Sequence, residues 1–225
     1  MIVLDVPQGS REWFDARLGV VTASNAENIV TPTGKAVTGA KRETYMRQLL
    51  TEKFTGIPHG GVETFAMRRG TELEPKARQW YEIATGRDVK RVGLVWRNES
   101  HDCGCSPDGL SDGRGLEIKC PLAHTLVGYM LDGGGVPAQY VIQVQFCMWV
   151  TGLAKWDFVL YSDCEGIPST IQTVAADAKI HAAMDESIPR FVADMAQAEK
   201  RLVGMGAKVA LRIDDIPQGS KTIPF

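Results

Sequence analysis

Long apolar runs are missing from this chain. No stretch of its 225 residues approaches the roughly 20 needed to cross a bilayer, which excludes a helical membrane span. The opening MIVLDVPQGSREW carries Asp5 early and lacks a basic start, so it does not read as a secretory signal. Paired cysteine motifs are also missing. Cys103, Cys105, Cys120, Cys147 and Cys164 are odd in number and show no CxxC spacing, which disfavours a disulfide scaffold or an iron–sulfur site and favours reduced thiols in the cytoplasm. His59, His101, His124 and His181 form no ligand pair at helical or zinc spacing. Nor is there an excess of one charge: 25 Lys and Arg face 27 Asp and Glu, which argues against a uniformly basic, DNA-coating surface.

That near-balance hides a split. Residues 35–100 hold 13 basic and 8 acidic residues, whereas the remainder is acidic, so an anionic substrate would have to be held locally. The length and the 44% apolar content suit one domain over 1–225 with a substantial core.

Periodicity predicts a short helix over 10–19 capped by Ser10, with Trp13, Phe14 and Leu18 on one face. Ser24-Asn25-Ala26-Glu27 has the spacing of a capping box opening a second helix. Thr31–Ala40 and Gly133–Gly135 read as loops, and 41–54 and 71–85 as helices, the latter ending at Gly86. From Arg91 onward, RVGLVWR, CGCSPDGL and GLEIKC read as short strands joined by Gly/Asp turns. A buried helix over 138–150, strands at 156–161 and 169–174, and an amphipathic C-terminal helix kinked or restarted at Pro189 complete the expectation. The fold class is α/β (α+β mixed): a central mixed β-sheet flanked by helices.

Metal-assisted phosphodiester hydrolysis needs carboxylates that hold a divalent cation and a group that handles the attacking water. Aspartate on one strand followed by Glu-x-Lys on the next meets this need, because residues i and i+2 of a strand share a face. Of four (Asp/Glu)-x-Lys triplets, only Glu117-Ile118-Lys119 sits in a short apolar strand with an aspartate, Asp108, across a preceding turn. Two readings stand at this point: a metal site, or an ordinary β-turn with a solvent-facing lysine. Glu72 and Glu74, following Arg68 and Arg69, likewise read either as further ligands or as a solvated helix face.

The motifs RLGVVTAS (17–24), RRGTELEP (68–75), CSPDGL (105–110), GLEIKCP (115–121) and QVQFCMWV (143–150) decide between them. Together and in this order they resemble the phage-type alkaline exonucleases, the lambda-exonuclease-like and YqaJ-like recombination nucleases of the PD-(D/E)XK superfamily. The resemblance implies a restriction-endonuclease-like core and a Mg²⁺-dependent 5′-to-3′ exodeoxyribonuclease. Such an enzyme digests one strand of linear duplex DNA to mononucleotides and leaves 3′ tails for recombination. A restriction- or repair-type endonuclease and a non-catalytic DNA-end-binding module are the alternatives.

Residue by residue, the resemblance makes Asp108 and Glu117 metal ligands, with the Ile118 carbonyl and Glu74 completing two Mg²⁺ positions that Mn²⁺ could also fill. Lys119 becomes the lysine that orients water, and Gln143 the glutamine that supports the site. Arg17, Ser24 and Ser106 become a pocket for the terminal 5′-phosphate. Met67 becomes an apolar wedge between terminal base pairs, with Arg68, Arg69 and Tyr140 as further DNA contacts; core packing is the competing reading of Met67 and Tyr140. The implied partners are DNA ends, two further copies in a ring, and a single-strand annealing protein.

Overall fold

The computed structural model describes residues 1–60 and 64–210 and the backbone of 220–221. Its strands form two mixed sheets. The first joins β1 (Ile2–Leu4), β2 (Val21–Thr22), β3 (Leu94–Trp96), β4 (Cys103–Cys105) and, at one edge, a two-residue strand at 220–221, with β2 parallel to β4. The second runs β5 (Gly109–Ser111), β6 (Arg114–Lys119), β7 (Lys155–Leu160) and β8 (Thr170–Ala175). The expected central sheet is thus divided, and Lys90, in the segment before β3, makes an isolated antiparallel bridge to Leu110 of β5.

β5 and β6 form a tight hairpin. Its two-residue loop, Asp112-Gly113, has φ of 43° and 71°, the doubly positive turn that matches strand twist and that Asp-Gly favours. Gly115, just beyond, has no room for a side chain, since a Cβ there would lie 2.1 Å from the Trp156 ring. β6 then pairs in parallel with β7, which requires a crossover. α4 (Ala123–Leu131) and α5 (Ala138–Thr151) supply it.

α5 is apolar on nearly every side, and Val144, Phe146, Met148 and Trp149 are buried around it, as expected of a helix in the middle of a core. Only its first turns reach a polar surface. α1 (Arg11–Arg17) is capped by the Ser10 hydroxyl, which accepts from the Trp13 amide at 3.3 Å. α2 (Ala40–Thr55) and α6 (Ala178–Gly204) pack together, with Tyr45 stacked on Phe191 at 5.6 Å.

Four expectations are corrected. α3 (Phe65–Thr85) begins six residues earlier than expected, capped by Thr64, so Glu74 and Pro75 lie in its interior and not at its start. Ser24 is not a helix cap. The segment Ala23–Asn28 is a short 3-10 helix with Thr22 at the cap position and no side-chain cap bond, and Ser24 is exposed within it. α6 runs through Pro189 without restarting, leaving that turn one hydrogen bond short. Arg91–Val92 stays outside β3, and Lys90 makes only the isolated bridge to Leu110.

Candidate active site

Asp108, Glu117, Lys119 and Gln143 converge at the mouth of the β5–β6 hairpin. The Asp108 amide donates to the Leu116 carbonyl at 3.1 Å, and its carboxylate accepts from the Ile118 amide at 2.6 Å. The aspartate is therefore tied to the neighbouring strand through both backbone and side chain. Glu117, 3% exposed, meets Lys119 Nζ at 2.7 Å and accepts from Gln143 Nε2 at 2.6 Å, both on Oε1. The alternation of β6 places Leu116 and Ile118 on the opposite face, packed with Ala77 and Tyr81 of α3. The Lys119 ammonium also lies 4.8 Å from the Tyr140 ring centroid, while Tyr140 packs on Phe158 at 5.6 Å, so Tyr140 combines a site contact with core packing.

α3 brings the third acid. Glu74 pairs with Arg78 one turn later, and Arg78 Nε also donates to the Asp108 carbonyl at 3.1 Å. Burial, then the charges of Glu117 and Glu74, push the Asp108 carboxyl well above the usual carboxylate range. Burial acts against the Lys119 charge, but Glu117 and Asp108 outweigh it and hold the ammonium more firmly than in water. In this arrangement Lys119 is a charged hydrogen-bond donor to Glu117.

The donor set suits a hard divalent cation: carboxylate oxygens in a partly buried site whose acids outnumber Lys119 and Arg78. Among the described residues, no three potential ligands converge on one point in the arrangement seen. Glu74 is drawn to Arg78 and Glu117 to Lys119, so ion binding would re-aim these side chains.

A second cluster lies beside α1. The Ser106 hydroxyl accepts from Trp13 Nε1 at 2.8 Å and from Arg17 Nη1 at 3.2 Å, while the Arg17 guanidinium stacks 4.2 Å above the Trp13 ring. Burial lowers the Arg17 pKa, against the opposing influence of Tyr45 and Glu52 among others, and among the described residues no carboxylate lies within salt-bridge distance of it. Arg17 opens onto a cavity of about 460 Å³ that Met67 also lines; Thr22 at the end of β2 and Asn25 of the 3-10 segment reach it, and Ser24 is not among the lining residues. Met67 is 59% exposed beside the equally prominent Phe65. Arg69 faces inward: it donates to the carbonyls of Cys120 and Pro121 and pairs with Asp163, bracing the chain that leaves Lys119.

Sequence reasoning missed two residues here. Trp13 had been placed only on an apolar helix face, and Arg78 was not considered, although its i,i+4 spacing from Glu74 is visible in ELEPKAR.

Residues 12–154 match the YqaJ-like viral recombinase domain. Among solved structures, the alkaline exonuclease LHK-Exo from Laribacter hongkongensis is 34% identical, with a TM-score of 0.77, over 88% of this chain and 98% of that one. LHK-Exo in complex with dAMP matches at 34% identity and a TM-score of 0.75, with the same coverage. A phage-related exonuclease from Haemophilus somnus 129PT, 17% identical with a TM-score of 0.57 over 91% of this chain and 97% of its own, shares the fold. No curated protein matches. The chain belongs to the YqaJ-like viral recombinase family and, within it, to the phage-type alkaline exonucleases.

Proposed function

We propose that this chain is a Mg²⁺-dependent exodeoxyribonuclease with a PD-(D/E)XK site. It digests one strand of linear duplex DNA in the 5′-to-3′ direction, releases mononucleotides and leaves 3′ tails for recombination by single-strand annealing. The observation that carries this reading is the meeting of Asp108, Glu117 and Lys119 on one hairpin, with Gln143 fixing Glu117. That a relative holds dAMP, a mononucleotide, supports the product.

Asp108 and Glu117, with the Ile118 carbonyl and Glu74, would hold two Mg²⁺, or Mn²⁺ in their place. Bound there, the cation neutralises phosphate charge and acidifies water. Lys119 donates a hydrogen bond to the attacking water or a phosphoryl oxygen and faces the negative charge that develops. Gln143 keeps the Glu117 carboxylate in one orientation.

At the other cluster, Arg17 and Ser106 would take the terminal 5′-phosphate, with Trp13 as the shelf under the guanidinium. Met67 would part the terminal pairs. Arg68 would touch the backbone, Arg69 would act through the segment it braces, and Tyr140 would approach the strand beside Lys119. Three copies closed around DNA would keep the enzyme on its substrate, with a single-strand annealing protein coating the 3′ tail, in the reducing cytoplasm. A near-neutral chain suits a sliding ring, since uniform phosphate attraction would hinder movement.

The test compares linear duplexes bearing 5′-phosphate or 5′-hydroxyl ends with a covalently closed circle, products being sized at each time. Mononucleotides from the phosphorylated linear substrate and an intact circle are expected. Cutting of the circle would make the protein an endonuclease. Retention of linear DNA without Mg²⁺-dependent release would make it an end-binding module.

A further inference from the structure

We propose that Arg78 is a positioning residue. Its one buried guanidinium ties the Glu74 carboxylate on α3 to the Asp108 backbone on the hairpin, and so sets the separation of the two acids between which a cation would sit. This rests on the metal-site reading above and adds a residue to it that touches neither DNA nor ion.

Arg78 is 8% exposed, and a guanidinium so far from water is costly unless it is partnered. Its partners come from two elements. Nη2 meets Glu74 on the same helix, while Nε donates at 3.1 Å to the carbonyl of Asp108, 30 residues away. An exposed i,i+4 pair would contribute little; this one is a cross-link. Beside Asp108, α3 meets β6 through Ala77 and Tyr81 against Leu116 and Ile118, and such apolar contact is non-directional; the other directional bonds from α3 to this strand's chain, from Arg69, reach Cys120 and Pro121 beyond its end and not Asp108. The Arg78 fork is thus a directional link from α3 to Asp108. A lysine ammonium on a flexible stem cannot hold both acceptors in the fixed geometry of a planar fork. The bond to Glu74 uses Oε1 alone, so the carboxylate keeps a second oxygen for an ion.

The experiment titrates Mn²⁺ into the full chain without DNA, by calorimetry or by loss of the free-ion resonance signal. Wild type, R78K, E74Q and R78K/E74Q are compared, and thermal unfolding is recorded for each. The expected result is that R78K unfolds with wild-type cooperativity yet binds Mn²⁺ about 10- to 100-fold more weakly, the scale found for groups that orient metal ligands. The double variant should bind no more weakly than E74Q alone, because both changes remove one interaction. Wild-type Mn²⁺ affinity in R78K would overturn the proposal, as would losses that multiply in the double variant. Failure of R78K to fold would do the same, by making the link purely structural. If wild type itself takes up no Mn²⁺ and D108N changes nothing, the metal-site reading falls, and this proposal with it.

Discussion

The Gln143 amide and the Lys119 ammonium converge on the same Glu117 oxygen, at 2.6 and 2.7 Å, leaving the other oxygen with no hydrogen bond among the described residues. The carboxylate is therefore held by one side only. Q143A should fold normally but lose about 10- to 100-fold in nuclease rate, with a raised Mg²⁺ requirement. Steady-state rates across a Mg²⁺ series check this; an unchanged Mg²⁺ dependence would separate Gln143 from ion binding.

Lys119 and Asp108 should behave more severely. K119M removes the positive charge and D108N the half-buried acid, and each should lower cleavage of linear duplex by about 10²-fold or more. Circular dichroism and melting should remain close to wild type for K119M, whose side chain is part-exposed. Wild-type turnover from either variant would dissolve the site.

Arg17 bears on the choice of end. Since it rests on the Trp13 ring and donates to Ser106, with no salt-bridged carboxylate among the described residues, R17A should lose the preference for 5′-phosphoryl over 5′-hydroxyl ends. Rates on internal, already engaged strands should change less than rates of initiation. Pre-steady-state traces on the two kinds of end measure both.

Gly115 is a steric test of the hairpin. G115A drives a methyl group into the Trp156 ring, and a clash of that kind typically costs about 1 to 3 kcal/mol. Because Glu117 lies two residues further along β6, the shift should cost activity as well as stability. Urea unfolding and rate assays together reveal the coupling.

Alkaline stability should depend on Tyr81. Burial and its hydrogen bond to Asp157 at 2.6 Å push this phenol up to about 12. A group raised on folding stabilises the fold fully below its unfolded pKa, about 10 for tyrosine, and loses that contribution as pH rises through the folded value. The melting temperature of wild type should fall between pH 10 and 12. Y81F should start lower at neutral pH and show a flatter alkaline limb.

The elements that were legible in the sequence are those whose signals are local. The Asp-Gly turn, the Gly86 stop of α3 and the all-apolar α5 each carry their cause within a few residues. The hairpin acids were legible because period-two alternation and one turn place Asp108 beside Glu117 without help from the rest of the chain. The errors arose where tertiary contacts override local preference. Ser24 had the spacing of a cap, but the turn begins two residues earlier at Thr22, whose amide donates to Tyr45 at 3.3 Å, 23 residues away. α3 extends back past its expected start because Thr64 caps it and Pro75 is tolerated inside it. Arg69 was read only as a DNA contact, and its carbonyl partners, 51 and 52 residues away, are visible only in the fold.

The double attachment of Asp108 to β6 makes chain length between Asp108 and Glu117 a coded quantity. One residue gained or lost on either arm of that hairpin would exchange the two faces of β6, delivering Leu116 and Ile118 to the position of the acid and the lysine. Natural variation should therefore accumulate in loops elsewhere and pass over this turn, so that a length change there marks a copy of the gene that has ceased to encode a nuclease.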